Sequence, residues 1–315
     1  MTDSSKETNS EKFEQSIVNE LAREVLSEQR RNRRWGIFFK GVFALYLLSF
    51  FIVYLANNSE IVSFSGEKHT ALIEINGVIA ADSEARADYV VTGLRQAFED
   101  ENTKGIILRI NSPGGSPVQA GYINDEIKRL REEYPDIPLY AVIADMCASG
   151  GYYIAAAADK IYANKASIVG SIGVIMAGFG FVDAIEKLGI ERRLLHAGEN
   201  KGFMDPFQPL KQDEANHVQG LLGEIHQQFI DVVKDGRGDR LVDDEKLFSG
   251  LIWSGEESIK LGLVDELASA SQVARDVIGA EDIVDYTKRE NYLDRFAKQM
   301  GSAMLQSLSE RLKFQ

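Results

Sequence analysis

The sequence predicts an α/β fold with parallel strand pairing, preceded by a single membrane-spanning helix. Two observations carry this. Apolar strand-like runs alternate with helical patterns from residue 71 onward, and such alternation implies βαβ connections. Ahead of them, one apolar stretch from Trp35 to Ala56 reads WGIFFKGVFALYLLSFFIVYLA.

Those residues would span about 33 Å as a helix at roughly 1.5 Å per residue, enough for a bilayer core. Lys40 is the one charge within it and lies near the N-terminal end, where it can snorkel to the interface. A cleaved signal peptide or a buried core helix would be the alternatives. The stretch is long for a signal sequence, a long polar tail precedes it, and no clear small-residue cleavage site follows. Arg30, Arg31, Arg33 and Arg34 come directly before it, and Asn57-Asn58-Ser59-Glu60 follow. The positive-inside bias therefore assigns residues 1–34 to the cytoplasm and the rest to the far side, the periplasm in a Gram-negative bacterium. Within that tail Phe13, Ile17, Leu21 and Val25 suggest a short amphipathic helix.

Residues 57–68 read as a polar linker to a domain expected over 69–285. Its strand-like runs are ALIEINGVI (71–79), GIILRI (105–110), LYAVIA (139–144), KIYA (160–163), GVIM (173–176) and RRLLHA (192–197). Helical patterns fall at 89–100, 118–134 and 212–234. In the last of these Ala215, Val218, Leu222, Ile225, Phe229 and Val232 make one apolar face. The order suits a right-handed βαβ spiral, although a flat doubly wound sheet would give the same order. Residues 286–315 form an amphipathic C-terminal stretch, with Leu293, Phe296, Met300, Met304, Leu308 and Leu312 on one face.

The formal net charge of -13 argues against a nucleic-acid partner, since phosphate binding needs clustered Lys and Arg. A single cysteine, Cys147, excludes an internal disulfide, and nothing points to a metal or cofactor.

Two glycine-rich strand ends stand out. Asn111-Ser112-Pro113-Gly114-Gly115-Ser116 follows the strand at 105–110, and Ala148-Ser149-Gly150-Gly151 follows the strand that begins at 139. A serine at a strand-to-helix turn is held exposed, with the next backbone N–H aimed where an oxyanion would form. Each glycine pair alone is also what an ordinary turn contains, and neither loop matches a phosphate-binding pattern. Of the four histidines, His217 and His226 lie in the long helical pattern and His69 lies beside the linker. His196 ends a strand-like run without a recognisable serine partner.

A lysine base is the remaining option. A free lysine is neutral about once in 2,500 molecules at pH 7, and bringing its pKa to about 7 costs on the order of 4–5 kcal/mol of desolvation. Lys201, near Phe203, Met204 and Phe207, is admissible; a surface loop lysine fits the same residues.

The motifs NSPGGS (111–116), ASGGYYIA (148–155), KASIVGSIGVI (165–175), GENKGFMDPF (198–207) and LIWSGEESIKLGLVDEL (251–267) together resemble the signal peptide peptidase A, or protease IV, family in its short form with one catalytic domain. The resemblance covers roughly residues 70–270. It implies a ClpP/crotonase-like fold and a Ser–Lys dyad, with Ser149 as nucleophile, Lys201 as base and Ser171 orienting the lysine amine. Gly150 and the glycines Gly114 and Gly115 would supply the oxyanion hole. It further implies peptide substrates, notably remnant signal peptides, and a ring-shaped homo-oligomer. Cys147 departs from the family's pattern, where small residues are usual, and is expected to be buried and inert. A crotonase-type acyl-CoA enzyme shares the fold but fits neither the export topology nor the exposed serine; an inactive membrane scaffold is the third reading.

Overall fold

The computed structural model describes Arg30, residues 33–53 and residues 67–289. The chain divides into two compact units, Met1–Ser65 and Gly66–Gln315. In the first, helix α1 (Arg33–Val53) is 21 residues long with a mean hydropathy of 2.1 over its most apolar window, long and apolar enough to cross a membrane. Its large side chains, Phe39, Leu45 and Tyr46 among them, are exposed, as a helix solvated by lipid would leave them.

The second unit is built on one mixed sheet. Strands β1 (His69–Asn76), β2 (Thr103–Ser112) and β3 (Leu139–Ala148) pair in parallel, with β8 (Ile283–Asp285) on the free edge of β1. Beyond β3 the sheet forks. Tyr140–Val142 pair with β4 (Lys160–Ala163), whereas Met146–Ala148 pair with β5 (Ile168–Gly170). β5 in turn pairs antiparallel with β6 (Ile252–Ser254), and β4 pairs with β7 (Glu266–Leu267). The fork rests on an irregularity in β3. Ile110 sits opposite Ile143 but Ser112 opposite Cys147, so extra residues around Ala144–Met146 bulge out and re-aim the end of the strand. Ser167 Oγ donates to the Ala144 carbonyl at 2.5 Å and holds the bulge in place.

Helices α2 (Ala87–Glu99) and α3 (Pro117–Glu133) connect β1 to β2 and β2 to β3, the βαβ units that the sequence predicts. α2 buries Val90, Leu94, Ala97 and Phe98, and α3 buries Ala120, Ile123, Ile127 and Leu130, each a stripe at helical spacing. Ser116 caps α3 by accepting from the Gln119 N–H, and Pro117 occupies its first turn, where a missing N–H costs nothing. The short α4 (Gly150–Ala155) follows β3 directly and buries Tyr152, whose hydroxyl donates to the Leu263 carbonyl at 2.8 Å.

The long α6 (Gln212–Arg237) is fixed at its C-terminal end. There Val233 and Phe229 are buried, and Arg237, fully buried, forks onto both oxygens of Asp265 at 2.8 and 2.9 Å. Burial alone would raise the Asp265 carboxyl. The Arg237 hydrogen bonds and the Ile161 N–H outweigh it and hold the group below the usual range.

Two strand expectations are corrected. Residues 173–176 and 192–197 are irregular, not extended in a ladder. Their apolar side chains are exposed, Ile175 at 85% and Leu195 at 96%, and a strand without a hydrogen-bonding neighbour gains nothing from its apolar pattern. The whole segment between β5 and α6, with its short helix α5 (Val182–Lys187), contributes only Ile172 to the core. Conversely β5 to β8 have two or three residues each, too few for periodicity to reveal. The amphipathic patterns at 13–25 and 292–312 and most of the linker at 57–68 lie outside the described residues. At the domain's end Tyr286 is buried, donating to Asp100 Oδ2 at 2.5 Å and meeting His69 Nε2 at 3.0 Å, which ties the chain after β8 to the start of β1.

Replacing Arg237 with Ala leaves the Asp265 carboxylate facing a buried void. The expected loss is about 3–5 kcal/mol of stability in urea unfolding. Since the Asp265 pKa is lowered by folding, the stabilisation is present above the ordinary carboxylate range and fades as pH falls below about 4. The wild-type minus Arg237→Ala difference should shrink in that acid window.

Candidate active site

Ser149 sits where β3 ends and α4 begins. Its backbone has φ 51 and ψ -122, a conformation that non-glycine residues rarely adopt and that costs on the order of 1–3 kcal/mol. Its N–H donates to the Gly170 carbonyl at 2.8 Å, and its own carbonyl accepts from the Tyr153 N–H at 3.0 Å. The hydroxyl has no hydrogen-bond partner among the described residues. This is a sharp strand-to-helix elbow that presents the side chain and leaves the Gly150 N–H at the first turn of a helix.

The second glycine loop lies directly against this elbow. A Cβ on Gly114 would fall 2.7 Å from Ser149 Cβ and 2.7 Å from the Gly150 nitrogen, so only glycine permits the approach. The loop is pinned from behind. Ser112 Oγ donates to the Gly77 carbonyl at 2.6 Å and accepts from the Gly114 N–H at 3.0 Å. The Gly114 carbonyl accepts from Ile79, and Ser116 donates to the Ile79 carbonyl. In this parallel bridge the peptide groups of Gly115 itself point away from Ile79. The Gly115 nitrogen lies 3.3 Å from where a Cβ on Gly150 would be, so the two N–H groups are neighbours. Of the two glycines expected as donors, Gly114 has its N–H committed to Ser112, and Gly115 remains.

Ser171 is brought to the same edge by strand register. Ala148 pairs with Gly170, so Ser149 and Ser171 are the next residues along two adjacent strands. Ser171 also has positive φ, 54, and its N–H donates to the Leu251 carbonyl at 2.6 Å.

Lys201 is not brought to Ser149 within this chain. It lies in the exposed turn at 198–204, its N–H donating to the Gly198 carbonyl at 3.1 Å, and it does not line the cavity that contains Ser149. Its ammonium forms no ion pair among the described residues. The apolar wall expected around it faces elsewhere: Phe207 stacks near Phe181 at 5.6 Å, and Phe203 meets His217 edge-on at 5.9 Å. The histidines offer no replacement. His196 is exposed with Nδ1 2.9 Å from the Gly198 carbonyl, His226 Nε2 is 3.2 Å from the Ile172 carbonyl, and no histidine lines the cavity.

That cavity, about 490 Å³, opens beside Ser149, Gly150 and Gly115, with walls from α3, α6 and residues 173–175. Its size falls in the small-ligand range. Cys147, two residues before the elbow, is fully buried in the core, and burial pushes its thiol up. It is the inert cysteine that the sequence suggests.

A half-buried serine at a strained strand-to-helix elbow, facing a second glycine loop with a free N–H, defines an acyl-transfer site of the oxyanion-hole kind on an α/β sheet. The chain belongs to peptidase family S49, whose model matches residues 132–283. A putative protease of Synechocystis is 31% identical over 205 residues, 65% of this chain and 72% of that protein. The putative signal peptide peptidase SppA of Enterococcus faecium is 32% identical over 237 residues, 73% of this chain and 65% of that protein. In Brucella abortus a protein named Na(+)/H(+) antiporter NhaA is 44% identical over 186 residues, 59% of this chain, but the chain spans only 25% of that protein's length.

Gly114→Ala should lower the thermal midpoint by several degrees, because the Cβ meets backbone and not a yielding side chain. Cys147 should resist a soluble thiol reagent in the native protein and react fully after unfolding; fast native labelling would contradict its burial.

Proposed function

We propose that this chain is a membrane-anchored serine endopeptidase with a Ser149–Lys201 dyad, acting on cleaved signal peptides and other apolar peptide segments. The observation that carries it is the Ser149 elbow with the Gly115 and Gly150 N–H groups side by side. Ser149 Oγ attacks the peptide carbonyl carbon while Lys201, as neutral amine, takes the hydroxyl proton. The carbonyl oxygen becomes the oxyanion that Gly150 and Gly115 receive. Lys201 then gives its proton to the leaving amine, and water hydrolyses the acyl-enzyme in a second pass. Ser171, in register with Ser149, orients the lysine amine.

Lys201 must be screened from water to serve as base. Within one chain it is exposed, and the segment around it carries Ile175, Phe179, Leu188, Ile190, Leu195 and Leu210 to the surface. Such apolar exposure favours assembly. In this reading a homo-oligomeric ring covers the segment and delivers Lys201 to a neighbouring Ser149. α1 holds the protein in the bacterial inner membrane, with the arginine-rich side cytoplasmic and the peptidase domain, residues 69–285, periplasmic. Residues 57–68 serve as linker and 286–315 as an accessory tail.

The test is labelling by a membrane-impermeant fluorophosphonate, on spheroplasts and on purified full-length protein. Ser149 should be modified in both; Ser149→Ala should abolish labelling and Lys201→Ala reduce its rate at least 100-fold. Mixing the two variants should recover part of the peptidase activity. Wild-type protein that neither labels nor cuts peptides would sink the reading, and labelling only after lysis would reverse the orientation.

A further inference from the structure

The cavity beside Ser149 is not uniformly apolar. On α3, Val118, Tyr122 and Asp125 fall at positions i, i+4 and i+7, one stripe along the helix, and all three line the cavity. Opposite them stand Ile225 and Phe229 of α6 and Ile175. Asp125 is the one charged residue among those lining it.

Its carboxylate has no hydrogen bond or ion pair among the described residues, although cations sit within reach on its own helix. Lys128, three residues on, is committed to Asp235 at 2.6 Å, and Arg129, four residues on, pairs with Glu126 at 2.8 Å and with Glu133. Arg129 and Arg95 together hold Glu126 down at about 2, so these cations are firmly engaged. The Asp125 charge is instead felt by Tyr153 in the cavity wall. Burial raises that phenol, and Asp125 raises it further. The Tyr153 ring packs on Phe229 at 5.2 Å between centroids, giving the wall an aromatic face.

A long side chain with an apolar stem and a cationic tip matches this arrangement. Its methylenes would lie on Val118, Ile225 and the aromatic faces while its tip reaches Asp125. Resting on the peptidase reading above, we propose that Asp125 makes the cavity beside Ser149 a subsite for lysine or arginine at a residue flanking the scissile bond, within an otherwise apolar peptide. An acidic side chain there meets an unpaired carboxylate and is rejected.

The experiment uses purified full-length protein in detergent and fluorogenic peptides on one apolar frame, varied at the residues flanking the cleaved bond among norleucine, lysine, arginine and glutamate. Wild-type protein should cut the lysine and arginine peptides at least as well as norleucine, and glutamate at least ten-fold less well. Asp125→Asn should lower kcat/KM for lysine and arginine about ten-fold, mostly through KM, with norleucine unchanged; Asp125→Lys should turn the preference toward glutamate. A norleucine peptide cut normally with lysine and arginine indifferent to Asp125 overturns this assignment alone. An equal loss on every peptide in Asp125→Asn overturns it in favour of a structural role. No cleavage of any peptide by wild-type protein removes the peptidase reading and this subsite with it.

Discussion

Along one edge β3 hydrogen-bonds to β2, and along the other it bonds first to β4 and then, past the bulge at Ala144–Met146, to β5. The site depends on that change of partner. Because the second half of β3 is claimed by β5, Ser149 donates its N–H to the Gly170 carbonyl and Ser171 arrives next to it. Because the first half stays in register with β2, the loop after β2 reaches the same height and Gly114 can lie against the Ser149 backbone. A straight β3 would satisfy one neighbour or the other. The bulge lets it satisfy both, and the unfavourable φ at Ser149 is held by bonds on either side of it.

The polar contacts behind the site serve the same end. Ser112, fully buried, spends its hydroxyl on the Gly77 carbonyl and the Gly114 N–H, so the glycine loop is fixed by a side chain and not left to its own freedom. On the far side, the Tyr152 hydroxyl and the Arg237–Asp265 fork tie α4 and α6 to the chain around Leu263. Rigid surroundings of this kind let two N–H groups hold a position where negative charge develops.

The helices α2, α3 and α6 were legible in the sequence because their buried faces repeat with a helical period, and the strands β1 to β4 because, buried on both faces, they read as short continuous apolar runs between helical patterns. β5 and β6 were not, since three residues carry no period and their pairing is decided by chain far away in sequence. GVIM and RRLLHA misled for the reverse reason: their composition suits a strand, but no partner strand is there to accept it. Ser149, Gly150 and Gly115 could be found from loop composition next to strands. Ser171 came through family resemblance, and its register with Ser149 is a property of the fold. Lys201 came through the same resemblance, and its exposed turn at 198–204, outside the cavity beside Ser149, carries no local pattern that would single it out. Asp125 gave no signal at all; within VQAGYINDEIKRLREEY it reads as one more solvated helix charge.

The parallel run of β1, β2 and β3 also gives the sheet a direction. The chain joins it at His69, at the end where all three strands begin, while Ser149 and both glycine loops stand where they finish. Eight residues of β1 at about 3.3 Å each set a distance of roughly 26 Å between His69 and the end of the sheet that carries Ser149. That spacing is set by strand length, a stiff ruler, whatever chain precedes His69.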